Sequence, residues 1–111
     1  MEQISFNDFW KVELRVGTII GVNPFPQARK PAYRLRVDFG PGLGIKQSSA
    51  QITHLYQPED LMGRQVIAVT NFPPKQIATF FSEVLVLGLE TEGGVVLLQP
   101  ERAVENGVRV S

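Results

Sequence analysis

An all-β fold, a small barrel or sandwich of short strands, is predicted by three features of this 111-residue chain. The segment Tyr33-Arg34-Leu35-Arg36-Val37-Asp38-Phe39 alternates between apolar and charged residues, the two-residue period of a strand with one buried face. Several further short apolar runs are punctuated by glycine and proline. Helical signals are confined to two short stretches, which leaves strands to build the core. A chain of this length is the size of one domain, residues 1–111, and can bury a real core without a second domain or long linker.

The elements follow in order. Ser5-Phe6-Asn7-Asp8 caps a short helix, with the serine hydroxyl accepting an early backbone N–H and Asp8 suiting the positive helix end. Phe6, Phe9 and Trp10 then need a surface to cover, either one end of the fold or a second subunit. Leu14 to Val22 reads as the first strand, with Gly17 and Gly21 marking a bend or bulge, and Asn23-Pro24-Phe25-Pro26 stops it. The alternating second strand sends Leu35, Val37 and Phe39 inward and Arg34 and Arg36 outward. Gly40-Pro41-Gly42-Leu43-Gly44 is a turn, returning the chain as a third strand from Lys46 to Ile52 and making a hairpin. Ile45 and Ile52 fall on opposite faces of a regular strand, so a bulge is expected around Ser48 to Ala50. Pro58 to Met62 is a single helical turn ended by Gly63. Gln65 to Thr70 and Glu83 to Leu89 are two more strands, and Gly93-Gly94 turns the chain into Val95 to Leu98.

Charge is distributed unevenly although the formal net charge is zero. Between Ala28 and Thr53, Arg29, Lys30, Arg34, Arg36 and Lys46 meet a single acid, Asp38. From Glu83 to Glu105, five glutamates meet only Arg102. A basic face and an acidic face are therefore expected, the first able to attract an anion. The competing reading of Arg34 and Arg36 is an ordinary solvated sheet face. Ser48, Ser49, Gln51 and Asn71 add hydroxyls and amides that can bond phosphates, ribose or base edges. Phe72, Phe80 and Phe81 are either core, stacking surfaces for bases, or a grip for an apolar peptide.

Other chemistry is poorly represented. Without cysteine there is no disulfide, thiolate metal site or cysteine nucleophile. His54 is the sole histidine and assembles no catalytic triad or zinc motif, so no catalytic residue, metal or cofactor is assigned. No run approaches the ~20 apolar residues of a membrane span, and the first residues lack the pattern of a secretory signal. A cytoplasmic protein that does not insert into membranes is expected.

The combination of Leu14-Arg15-Val16-Gly17, Ala28-Arg29-Lys30-Pro31-Ala32-Tyr33, Lys46 to Ile52 and Ser82 to Gly88 closely resembles the tRNA-binding-domain family, in particular its export-related chaperones. The resemblance covers nearly the whole chain. It implies a five-stranded oligonucleotide/oligosaccharide-binding (OB) barrel with short helical segments, and terminal extensions that form a homodimer. It also implies two activities: tRNA binding, and holding unfolded precursor polypeptides for the secretion machinery. Ser49, Asn71 and Ser82 coincide with polar positions of the family, and Lys30 with its basic residue before the second strand. Where the family tends to show Lys-Met-Arg-Gly, this chain has Gln76-Ile77-Ala78-Thr79.

The RNA-binding expectation thus names Lys30, Arg34, Arg36, Lys46, Ser48, Ser49, Gln51, Asn71 and Ser82. The alternative, a chaperone binding apolar segments, names Phe72, Phe80 and Phe81. Candidates for the dimer interface are Phe6, Phe9, Trp10, Val104, Val108 and Val110, although sealing a barrel end is an equally ordinary use for them.

Overall fold

The computed structural model describes residues 1–111. In chain order the elements are α1 (Phe6–Trp10), β1 (Leu14–Pro24), β2 (Tyr33–Asp38), α2 (Gly40–Leu43), β3 (Ile45–Ala50), α3 (Pro58–Leu61), β4 (Gln65–Val69), β5 (Lys75–Ile77), β6 (Phe80–Ser82), β7 (Leu85–Val86), β8 (Gly88–Thr91) and β9 (Gly94–Leu97). No helix is long and apolar enough to cross a membrane.

Strand β1 serves both walls of the barrel. Its first half pairs with β4, from Leu14↔Val69 to Thr18↔Gln65, and its second half with β2, from Thr18↔Asp38 to Pro24↔Tyr33. The register shifts between Ile19 and Gly21, a bulge that lets one strand turn from one partner to the other. Gly17 is required by closeness: a Cβ there would stand 2.6 Å from Val37 Cγ1 and 2.8 Å from the Phe39 ring. The five-stranded sheet has the order β3-β2-β1-β4-β7. It closes where the segment before β7 meets β3, with Glu83 N–H donating to Gln47 O at 2.8 Å and Gln47 N–H to the Glu83 carboxylate at 3.0 Å. This closed five-stranded order is the OB barrel.

The core is where alternation put it. Leu35, Val37 and Phe39 are fully buried with Ile19, Val66, Leu61, Ile52 and Val84, and burying each large side chain stabilises the fold by roughly 1.5–3 kcal/mol. Leu61 belongs to α3, which begins with Pro58 and is held by the Gln57 N–H donating to the Asp60 carboxylate at 2.9 Å. Gly63 then takes φ +81°. At the other terminus α1 has a full capping box: Asp8 N–H donates to Ser5 Oγ at 3.1 Å and Ser5 N–H to Asp8 Oδ2 at 3.2 Å.

Four expectations need correction. The β2–β3 hairpin runs in unbroken register from Tyr33↔Ala50 to Asp38↔Ile45, so no bulge occurs at Ser48 to Ala50. Ile45 points outward, 49% exposed, while Ser48, Ala50 and Ile52 share the inward face. The glycine-proline turn after Phe39 contains one helical turn, α2. The run Glu83 to Leu89 is not one strand: β7 pairs with β4 at Ala68↔Val86 and Val69↔Leu85, and Gly88 begins a separate hairpin with β9. Finally, residues 75–82, where no element is expected, form the β5–β6 hairpin around Ala78, which has a positive φ of 54°.

The termini pack against their own barrel. Residues 107–110 run along the first half of β1, with Val16 N–H donating to Val108 O at 3.0 Å and Val110 N–H to Leu14 O at 2.8 Å. Arg109 lies over the Trp10 ring, 3.4 Å from its centroid, and donates to Trp10 O. Phe6 stacks on Trp10 at 5.7 Å yet stays 66% exposed, and neither ring belongs to the core.

Candidate nucleic-acid interface

Directly opposite residues of an antiparallel pair project from the same face. The register Arg34↔Ser49 and Arg36↔Gln47 therefore assembles two arginines, a serine and a glutamine into one patch on the outside of β2 and β3. Two segments flank that patch: the loop of residues 25–32 and the β5–β6 hairpin. They are tied together by Phe25, which is buried and meets the Phe80 ring edge-on at 5.3 Å. The Arg34 guanidinium lies over the same Phe25 ring at 5.5 Å while its Nε donates to Pro24 O at 3.2 Å. Arg34 is thus oriented by the loop, whereas Arg36 is exposed and lays its stem over Gly21, where a Cβ would sit 3.4 Å from Arg36 Cβ.

Between loop and hairpin lies a cleft of about 260 Å³, bordered by Arg29 and Lys30, Ser49 and Gln51, and Lys75 and Ile77. It opens into a larger cleft of about 420 Å³ that shares Ser49, Gln51, Lys75 and Ile77 and continues between Leu85 and Val95. Arg29, Lys30, Arg34, Arg36, Lys46 and Lys75 have no carboxylate partner. The three ion pairs of the chain, Lys11–Asp8, Arg15–Glu13 and Arg102–Glu101, involve none of them. The expected separation of charge is incomplete, because Glu83 contacts β3 and Glu90 borders the larger cleft.

The sequence-predicted site residues divide into two groups. Lys30, Arg34, Arg36, Ser49 and Gln51 come together on or beside the outer face, and the Ser49 and Gln51 side chains make no intramolecular hydrogen bond. The others do structural work. Ser48 is completely buried and its hydroxyl donates to Val84 O at 2.9 Å, so it is withdrawn from any surface contact. Ser82 Oγ accepts the Ser49 N–H at 3.1 Å, completing the barrel seam. The Asn71 carboxamide ties α1 to the barrel, accepting Glu13 N–H at 3.0 Å and donating to Lys11 O at 2.7 Å. Lys46 pairs with buried Val37 and so springs from the opposite face to Arg34 and Arg36.

The three phenylalanines do not share a surface. Phe80 turns to Phe25, the adjacent Phe81 points the other way and is 50% exposed, and Phe72 lines its own recess of about 220 Å³ with Pro73, Lys75 and Leu85. Lys75 was missed by sequence reasoning. Its two-residue spacing from Ile77 was the available signal, but the run is too short to read as a strand and its turn has no glycine.

The carboxyl of Glu13 is displaced below its ordinary range. The hydrogen bond from Arg15 at 2.9 Å and a second from Thr70 Oγ1 at 3.0 Å lower it, helped by the positive charge of Arg109 and opposed by partial burial. It belongs to the base of β1 and not to the cationic patch.

Residues 14–109 match the family described as "Putative tRNA binding domain". The CsaA chaperone of Bacillus anthracis str. Ames superposes with a TM-score of 0.92 at 54% identity, covering 99% of this chain and all of that one. That of Picrophilus torridus gives 0.94 at 51% identity, covering 98% and 100%. The methionine–tRNA ligase of Thermococcus kodakarensis is 36% identical over 110 residues, 99% of this chain. The chain spans only 14% of that ligase's length. On the family match and the near-complete overlap with these chaperones, the chain belongs to the tRNA-binding-domain family.

Proposed function

We propose that this chain is a non-catalytic tRNA-binding module that recognises RNA shape and backbone on the outer β2–β3 face. The observation that carries the reading is the cluster of Arg29, Lys30, Arg34, Arg36 and Lys75 around one face, without carboxylate partners, on a chain of zero net charge. The β2–β3 face of an OB barrel and its flanking loops are where such folds hold oligonucleotides. Unpaired cations release counterions from phosphates on contact, which supplies most of the affinity. Ser49 and Gln51 offer free polar groups to ribose and base edges. No metal or cofactor takes part, and the site of action is the cytoplasm. Two copies joined through Phe6, Phe9, Trp10, Val104, Val108 and Val110 present two such faces to one folded RNA.

A second reading, a chaperone for unfolded precursors of the secretion machinery, is favoured by one observation. Phe72, 52% exposed, opens onto an apolar recess beside the cationic face. Titration of fluorescent total tRNA at two salt concentrations, with an unfolded polypeptide as competitor, separates them. Salt-steep binding that the polypeptide does not displace supports the first reading. Displacement places both ligands on adjoining surfaces, and absence of tRNA binding at low salt rejects the first.

A further inference from the structure

We propose that Asn106 is a site of spontaneous deamidation which the docked C-terminal strap, residues 107–110, holds in check, and that isoaspartate formation there releases the strap from β1. Asparagine followed by glycine is the sequence in which this chemistry runs fastest, because no Cβ shields the following backbone nitrogen and the backbone turns freely. Of the four asparagines only Asn106 precedes a glycine; Asn7, Asn23 and Asn71 precede Asp8, Pro24 and Phe72. Gly107 cannot be exchanged for a slower neighbour. It takes φ +93°, and a Cβ there would stand 2.7 Å from Phe39 O. The fold therefore requires the residue that makes Asn106 labile.

In the reaction the Gly107 nitrogen attacks Asn106 Cγ. A C–N bond forms, the Cγ–Nδ2 bond breaks, and the proton of the glycine nitrogen leaves with the ammonia, giving a cyclic succinimide. Water opens the ring at Cγ to give aspartate, or at the α-carbonyl to give isoaspartate, whose main chain runs through the former side chain and is one methylene longer. Both reacting groups are engaged while the strap is docked. Gly107 N–H donates to Val16 O at 2.8 Å, and Asn106 Oδ1 accepts Thr18 Oγ1 at 2.8 Å and Gln65 Nε2 at 3.1 Å. Ring closure thus waits for local opening of the strap. Asn106 is only half-buried, so water reaches the ring once it forms. The two products differ in consequence. Aspartate keeps the backbone and offers an oxygen to the same two donors, so the strap stays. Isoaspartate inserts a methylene between Val104, held by both ends of the Gln65 carboxamide, and the Gly107–Val16 bond, so anchor and ladder no longer fit β1 together. Arg109 lies beyond the insertion, and its stacking on Trp10 is lost with the ladder.

The test incubates the full chain at fixed pH and temperature, natively and in urea, and follows each asparagine by peptide mapping and mass spectrometry, with a methyl-acceptor assay for isoaspartate. In the native chain Asn106 should convert faster than Asn7, Asn23 and Asn71, and more slowly than it does in urea. Thr18→Val, which removes one hydrogen bond, should speed native conversion about 5- to 10-fold and leave the rate in urea unchanged. Trp10 is the only tryptophan, so release of Arg109 is read in its emission. The isolated isoaspartate form should show a shifted emission. Asn106→Asp, with the same charge but an ordinary backbone, should keep that of the parent chain. Native conversion no faster than at the other asparagines overturns the site. Native conversion as fast as in urea, or unmoved in a folded Thr18→Val chain, overturns the guard, and the native-to-urea ratio tests it even where that variant does not fold. An unmoved emission in the isoaspartate form, or an equal shift in Asn106→Asp, overturns the release.

Discussion

Strands β2 and β3 lie side by side and both look polar in sequence, but their polar residues have opposite fates. In β2, Arg34 and Arg36 leave the barrel without ion partners, and the apolar residues between them build the core. In β3, much of the polar run Lys46 to Ala50 is consumed by closure: Ser48 is buried against Val84, the Gln47 amide group donates to Phe81 O at 2.9 Å, and only Ser49 keeps its hydroxyl free. A polar strand at a barrel seam satisfies backbone groups that would otherwise be orphaned, because the closing segment before β7 pairs irregularly. On the proposed reading, RNA contacts fall mainly where the sheet is regular, while most polar groups at the closure serve structure.

Charge reversal breaks this comparison most severely. Arg34→Glu with Arg36→Glu should cost about a hundredfold or more in tRNA affinity at moderate salt and flatten the salt dependence, with a thermal midpoint close to that of the unmodified protein. Unchanged affinity at fixed ionic strength would show that the wrong face has been chosen. Ser48→Val should do the reverse, lowering stability by about 1–3 kcal/mol in urea unfolding because Val84 O loses its shorter hydroxyl donor and keeps only Ser82 Oγ at 3.4 Å, while RNA affinity stays the same. A large affinity loss in a folded Ser48→Val protein would erase the distinction between the strands.

Asn71→Ala extends the comparison beyond the seam. Losing its two hydrogen bonds to the α1–β1 connection should cost about 1–2 kcal/mol, with little effect on RNA binding once unfolding is accounted for. The smallest effect is expected at Glu13. Its carboxyl is held below the ordinary range in the folded chain, so it stabilises the fold above its unfolded pKa, and this contribution disappears as pH falls through the lowered folded value. Glu13→Gln should therefore lower stability by roughly 0.2–1 kcal/mol at neutral pH. Below the folded value the two proteins should unfold at the same urea concentration, which a pair of denaturation series would check.

Much of the architecture was legible locally. Alternation in residues 33–39 is set by the backbone period alone, so the inward set Leu35, Val37 and Phe39 and the outward pair of arginines could be read directly. The same holds for the Ser5–Asp8 cap and the bend of β1 at Gly21, which depend on neighbouring residues and on backbone freedom. The β5–β6 hairpin could not be read, because it turns at Ala78 without the glycine or asparagine that usually marks a positive φ. With it were lost Lys75, the Phe25–Phe80 lock and the cleft itself.

By itself, then, the sequence determined that the chain forms short strands around an apolar core, with arginines on the outer face of the second strand, because those properties follow from side-chain period and turn chemistry. Tertiary structure alone decided which serines face inward, which amides are spent on the seam, and that cations from residues 29, 30 and 75 border one cleft. Those outcomes depend on barrel closure, which brings together segments more than thirty residues apart and sets which polar groups lose access to water.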